Sequence, residues 1–399
     1  MDETLLKKTL DKFNFTTQNT YPAETPTDLL KITERELTEL GIRYNKKQKS
    51  KRRGGRIQYY LNLFDQKHSL MNYHKGFYPN NSNLGRLISN DKILTEKFLK
   101  FAGVKTPNTK VFDESEFNEA YDFLSQNNSS VFVLKPKDLS HARGVFINVD
   151  QSNFEKSWNA SLKVQKEYKV ADPSFIIQEK VPGLELRITV IEGIVNSVTF
   201  RAPAHVIGDG TSTIEELIHI KNKERDLNPF HRKSSVQINE ALSDNLKFSG
   251  KSLNYILSKD ELCILYPHSS VNEGRENYEI TKHISPGILL QAKDAVLAIP
   301  GVSTAGVDII IDDVSADSGT VIEVNQRPNF QMNYFPMYGH PQTPLKQIFY
   351  IARLERRMRD DRLELDSLSK EDFNILNERF KFIKEKMKIS DLSIKSLMR

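Results

Sequence analysis

The chain has 399 residues, 38% hydrophobic and 27% charged, with a formal net charge of +5, which gives room for two or three domains of ordinary soluble composition. No apolar run approaches the length of a membrane span, and the N-terminal MDETLLKKTLDKF has no apolar signal core. A single cysteine, Cys263, excludes an internal disulfide framework and a multi-cysteine metal site, so a cytoplasmic protein is expected.

In chain order, residues 27–41 predict a short helix stopped by Gly41. The stretch NKKQKSKRRGGR, residues 45–56, carries seven lysines or arginines. It reads as a basic loop that is solvated, that binds an anion near an active site, or that meets nucleic acid. No recognised nucleic-acid motif surrounds Tyr59 and Tyr60, so nucleic acid is not an expected partner. RIQYYLNLF predicts a strand, YPNNSN at 78–83 a turn-rich connector, and residues 90–103 a helix stopped by Gly103. Residues 114–127 predict a helix, SVFVLKP a buried strand ending at Pro136, and residues 152–168 a helix. SFIIQEKVPGLELRITVIEGIVNSVTFRAP predicts strand, turn, strand, tight turn, strand. Helices follow at 212–225, entered from a Ser/Thr cap, and at 285–299. GVSTAGVDIIIDDV and GTVIEVNQRPN predict two further strands, and a helix runs from Pro344 to 359. The charged tail, 366–399, has apolar residues at helical spacing and is expected to pack on the body or on a second copy, so a homo-oligomer stays open. Mixed helices and antiparallel hairpins predict an α+β fold.

Three stretches carry chemistry. A hairpin joining the last two strands would set Asp308 beside Glu323 and Asn325, since strand positions two apart share a face. Two carboxylates and an amide oxygen suit Mg²⁺, with Mn²⁺ an alternative; strand-end carboxylates facing solvent are the plainer reading. In FVLKPKDLSHARGV, Lys135 ends a buried strand as a point charge for phosphate, and the backbone from Ser140 to Gly144 can close over phosphates; an ordinary surface lysine is the alternative. In IIQEKVPGLELRI, Gln178 and Glu179 end a strand. The backbone of Lys180 and Val181 can meet an adenine edge, and Glu185 can accept both ribose hydroxyls. A plain hairpin is the alternative.

In this order the segments resemble an ATP-grasp ligase. NDKILTEKFLKFAGVKTP is similar to that family's opening segment, with Lys92 approaching the nucleotide phosphates. VLKP, QEKVPGLELR and GVDIII…VIEVNQRP are similar to its phosphate-lysine strand, its adenine hinge with the ribose carboxylate, and its magnesium ligands. Residues 198–222, 270–281 and 329–348 look like the ATP-grasp part of cyanophycin synthetase and of bifunctional glutathione synthetase. The phosphate loop departs from these relatives with Ala142, and the 270–275 loop with Arg275, where glycine is usual. The resemblance implies an ATP-grasp fold of two α+β subdomains over 89–358, the small one about 104–180 and the large one about 181–358. An atypical pre-grasp-like domain over 1–88 precedes it, and a helical tail over 359–399 follows. It further implies a ligase that uses ATP and magnesium to join a small-molecule or peptide carboxylate to an amine through an acyl phosphate. A carboxylase, a phosphate-transferring enzyme and a non-catalytic nucleotide-binding module are the alternatives. Arg201 and Arg327 are the implied holders of the acceptor carboxylate and the oxyanion; Arg187, Ser270, Asn272 and Arg275 are the implied substrate contacts.

Overall fold

Asp2 caps the first helix, α1 (Glu3–Phe13), by accepting the Leu5 N–H, and Leu6 and Phe13 turn from it into the main core. This computed structural model describes residues 2–15, 17–49, 58–66, 68–74, 78–126, 131–139, 143–266, 274–360 and 368–397. Helix α2 (Leu29–Glu39), capped by Asp28, leads through Gly41 in the left-handed region into β1 (Arg43–Lys49). Strands β2 (Gln58–Asp65) and β3 (His68–His74) complete an antiparallel sheet in the order β1-β2-β3. The expected basic loop is corrected in part: Asn45 to Lys49 pair with β2 as an edge strand. The rest of that stretch lies outside the described residues. Lysines on an edge strand discourage further strand pairing.

Helices α3 (Asn83–Asn90) and α4 (Lys92–Phe101) follow, capped by Ser82 and Asp91, so the expected helix over 90–103 is the second of a pair. Strand β4 (Thr109–Asp113), α5 (Phe117–Ser125), β5 (Phe132–Pro136), β6 (Phe146–Val149), α6 (Phe154–Glu167) and β7 (Ser174–Glu179) make the first α+β layer. Its antiparallel sheet runs β4-β7-β5-β6 over a core in which Trp158 stacks on Phe175 at 3.7 Å.

Beyond Gly183 the chain enters a second sheet through β8 (Leu184–Ile191) and β9 (Ile194–Ala202). After β10 (Ala204–Ile207), α7 (Ile214–Asp226) starts from a Thr213/Glu216 capping box. There follow α8 (Glu240–Phe248), β11 (Leu262–Tyr266), β12 (Glu276–Glu279), α9 (Pro286–Ala298), β13 (Ala305–Ile311) and β14 (Thr320–Asn325). The chain closes with α10 (Gln331–Tyr334), α11 (Pro344–Arg359) and α12 (Lys370–Leu397). Among the described residues the large sheet runs β12-β9-β8-β13-β14, and β10 pairs with β11 alongside it. Strands β7 and β8 therefore do not pair. The segment between them crosses from one sheet to the other, which replaces the plain hairpin reading.

The large sheet has two unlike faces. Leu186, Ile188, Val198, Phe200, Val307 and Ile309 bury one face with Ile288, Ala292 and Val296 of α9. Glu185, Arg187, Thr189, Ser197, Thr199, Arg201, Asn277 and Asp308 alternate with them and fall on the other face. A polar sheet face this far inside a molecule is a place for ligand chemistry. The first sheet lies over it. Cys263 is a buried free thiol.

Candidate active site

The register builds the site row by row. Glu279 pairs with Thr199, Thr199 with Arg187, Arg187 with Asp308, and Asp308 with Glu323. In the next row Asn277 pairs with Arg201. Asn325 pairs with Gly306, two positions from the Asp308–Glu323 pair, as the hairpin predicts.

Asp308 is buried and its carboxylate accepts from both Arg187 Nε and Arg187 Nη2, the latter at 2.7 Å. Arg187, expected at the substrate, is thus committed to Asp308. Burial opposes the Arg187 charge, and Asp308, with Glu323 and Glu185, more than offsets it. Glu185 accepts from Arg201 Nη1 at 2.5 Å on one oxygen and from Arg275 Nη1 at 3.0 Å on the other. Burial raises its carboxyl pKa, but Arg275 and Arg201 outweigh that and bring it down to about 2. Arg275 does not pair with Glu276, which binds Lys221 at 2.7 Å. Arg201 also reaches toward Asp308, at 3.8 Å.

From the first sheet, Lys135 donates to Gln178 Oε1 at 2.9 Å, and the Gln178 amide donates to Thr109. Burial and then the neighbouring Lys92 push the Lys135 pKa down to about 8. Lys92, the first residue of α4, points its ammonium at the carbonyls of Pro136, Lys137 and Leu139 at 3.3, 3.4 and 3.1 Å. Lys92, Lys135, Gln178 and Glu323 line one cleft between the sheets. A second cleft of about 190 Å³ runs along the crossover segment, lined by Val133 and Ile147 from one sheet and Ile310 and Ile322 from the other. Glu179, Lys180, Val181 and Glu185 form its rim. The Lys180 N–H donates to the Val131 carbonyl at 2.7 Å, which ties the crossover segment to the first sheet's edge.

Gly144 has φ +67°, and a Cβ there would lie 2.9 Å from the Pro136 ring, so its backbone passes where a side chain would not fit. Strand β14 ends at Asn325, so strand alternation does not extend to Arg327, which is exposed in the following bend. Ser140, Ser270 and Asn272 lie outside the described residues. His205 is buried with Nδ1 2.9 Å from the Pro203 carbonyl, and burial pushes its pKa down to about 4.

Sequence reasoning missed several polar residues of the same face. Among the described residues neither amide atom of Asn277 has a hydrogen-bond partner, nor has Thr199 Oγ1, although all are buried, and the same holds for Nε of the expected Arg201. Asn333 of α10 donates to Thr189 and Ser197 at 3.2 and 2.6 Å. The signal was available in the alternation of LELRIT, NSVTFR and ENYE.

Among the described residues no three or more His, Cys, Asp or Glu cluster as a metal site. The candidate donors are two carboxylates and an amide. Among the described residues Glu323 and Asn325 make no side-chain hydrogen bond or ion pair, while Asp308 shares its lone pairs with Arg187. Such hard oxygen donors fit a magnesium ion that keeps waters and shares phosphate oxygens.

Comparison with known proteins defines the class. Residues 90–205 match the ATP-grasp (A) domain of phosphoribosylglycinamide synthetase. The crystal structure of a bifunctional glutathione synthetase from Pasteurella multocida superimposes with a TM-score of 0.59 at 22% identity, covering 81% of this chain and 43% of that one. The fold is the ATP-grasp fold. Within it, the chain is homologous to two proteins in particular. It is 29% identical over 265 residues to cyanophycin synthetase of Trichormus variabilis, covering 65% of this chain and 28% of that protein. It is 31% identical over 261 residues to the glutathione biosynthesis bifunctional protein GshAB of Enterococcus faecalis, covering 63% of this chain and 34% of that protein. The chain thus spans about a third of the length of these relatives. No helix among the described residues is long and apolar enough to cross a membrane.

Proposed function

We propose that the chain is an ATP-dependent ligase that forms an amide or peptide bond between a carboxylate and an amine through an acyl phosphate, in a cytoplasmic setting. The observation that carries this reading is the convergence of Lys92, Lys135 and Glu323 on one cleft beside Asp308. Val133 and Ile147 from one sheet and Ile310 and Ile322 from the other give the second cleft apolar walls. In this reading the adenine lies there, its edge meets the Lys180 carbonyl and Val181 N–H, and Glu185 accepts the ribose hydroxyls. Lys92 and Lys135 neutralise phosphate oxygens. Asp308, Glu323 and Asn325 would hold magnesium or manganese, which when bound supplies charge neutralisation between the phosphates.

The acceptor carboxylate attacks the terminal phosphorus and ADP leaves. The amine then attacks the acyl carbon, the C–O bond to phosphate breaks, and the amine sheds a proton to solvent. In this reading Arg201 steadies the carboxylate and the oxyanion through charge-assisted donors. The acceptor lies along the Arg201–Asn277–Thr199 side of the sheet, where buried polar atoms have no partner among the described residues. The relatives' names support an amino acid or peptide as substrate. ADP release over a panel of amino acids and short peptides, each with and without an amine, tests the reading. Substrate-dependent ADP release supports it, and ATP turnover that no carboxylate stimulates overturns it.

A further inference from the structure

Glu185 faces two ways. It forms part of the rim of the cleft assigned to the nucleotide, and both its oxygens already accept guanidinium donors, Arg201 at 2.5 Å and Arg275 at 3.0 Å. Arg201 and Arg275 each keep a buried Nε with no partner among the described residues. Three guanidinium groups, Arg187, Arg201 and Arg275, thus meet two carboxylates, Glu185 and Asp308.

Arg275 is fixed from behind, so its reach to Glu185 is not incidental. Buried Arg225 of α7 donates to the Gly274 carbonyl at 2.9 Å and to the Ser234 carbonyl at 2.6 Å. Gly274 has φ +97°, and a Cβ there would come 2.6 Å from Val236. Lys221, one turn earlier on α7, holds Glu276 on the other side of Arg275. The backbone at 274–276 is clamped, and the Arg275 guanidinium is delivered to the cleft.

We propose that Glu185 is a latch shared between the two sites: with the nucleotide cleft empty it ties down Arg201 and Arg275, and ribose hydroxyls compete with those arginines for its lone pairs. Nucleotide binding then loosens both guanidinium groups toward an acid group of the acceptor, so nucleotide and acceptor bind in order. The latch rests on the reading of Glu185 as the ribose carboxylate.

Competition predicts that weakening the arginine side strengthens the ribose side. The test is calorimetric binding of ATP and of 2′,3′-dideoxy-ATP to the full chain, without acceptor. The two nucleotides carry the same charge, so the ratio of their dissociation constants isolates the hydroxyls from long-range attraction. In Arg275→Met the preference for ATP over the dideoxy nucleotide rises about tenfold, as expected when one competing charge-assisted hydrogen bond is removed. Arg275→Lys, which keeps the charge but not the fork, gives a smaller rise and guards against a folding defect in the methionine variant. Glu185→Gln loses most of the preference. A preference that is present in the wild type and unchanged or lower in both Arg275 variants overturns the latch alone. A wild type and variants that all bind the two nucleotides equally remove Glu185 from the ribose, and the nucleotide assignment of this cleft falls with the latch.

Discussion

Glu323 is half-buried, lies opposite Asp308, and has no ion-pair or hydrogen-bond partner among the described residues, while Lys92 and Lys135 line the same cleft. A carboxylate kept there without a direct partner is a candidate cation ligand, which is why a change that removes its charge and keeps its size is informative. Glu323→Gln is expected to lower turnover at least about a hundredfold, the usual scale for losing one electrostatic stabiliser, with an unchanged melting temperature. Turnover within a few-fold of the wild type would remove Glu323 from the metal. Lys135 supplies a pH prediction. Its pKa is held down to about 8 by burial and then by Lys92, and only its charged form attracts phosphate. Nucleotide affinity is therefore full below that pH and falls as pH rises through it. Lys135→Met binds weakly and loses this alkaline limb; isothermal titrations at several pH values read both. The residues proposed for the metal, with Lys135, were legible in the sequence because strand alternation and an apolar run around each charge are local signals, whereas Lys92 came from the resemblance. The arginine commitments were not. Arg187 meets Asp308 121 positions away and Arg275 meets Glu185 90 positions away, contacts that depend on register between distant strands, while Arg201 reaches Glu185 across the β8–β9 hairpin.

The crossover from β7 to β8 is the element on which the clefts turn. Gly183 has φ +132°, and a Cβ there would lie 2.3 Å from the Ile311 carbonyl oxygen. Gly183→Ala forces a backbone shift at the junction of the two sheets. We expect a loss of stability of about 1–3 kcal/mol and a raised Michaelis constant for ATP, since the same segment carries Val181 and Glu185. A melting temperature and a Michaelis constant equal to those of the wild type would show that the crossover tolerates a side chain. The strands β7, β8 and β9 were legible from alternation and turn residues. Their assignment to two sheets was not legible from local pattern, because Pro182–Gly183 marks a turn in either case; it came from the resemblance, which puts a subdomain boundary near residue 180. The β13–β14 hairpin was readable for the opposite reason: a short connection between apolar runs leaves antiparallel pairing as the simple outcome. The basic stretch misled in part, since lysines at 46, 47 and 49 read as a loop yet occupy an edge strand whose partner, β2, supplies the apolar residues. Helices α1 and α3 passed unread; each is short, and its buried face meets residues nearly 200 or more positions away.

At the scale of the whole molecule, α12 ties the ends of the fold together. Arg379 bonds Glu192 at 2.8 Å and Glu355 at 2.6 Å, Phe382 packs on Gly193, and Lys386 donates to the carbonyls of Val296 and Ile299 near the end of α9. The helix thus braces the β8–β9 turn, whose far ends carry Glu185 and Arg201. Burial, then Arg379, push the Lys386 pKa down to about 7, against about 10.4 in an unfolded chain. Between those values the unfolded state binds more protons, so stability rises with pH over that window. Lys386→Met is expected to flatten that part of the slope of melting temperature against pH, relative to the wild type; an unchanged slope would mean the lysine is solvated. The central claim, that this scaffold joins a carboxylate to an amine through an acyl phosphate, is met most directly by mass spectrometry of a metabolite extract incubated with the full chain, ATP and magnesium. The account predicts a new species whose mass is that of a carboxylate plus an amine less one water, formed in step with ADP and phosphate and absent with Glu323→Gln. AMP and pyrophosphate in place of ADP, or ATP consumption with no condensed product, would contradict it.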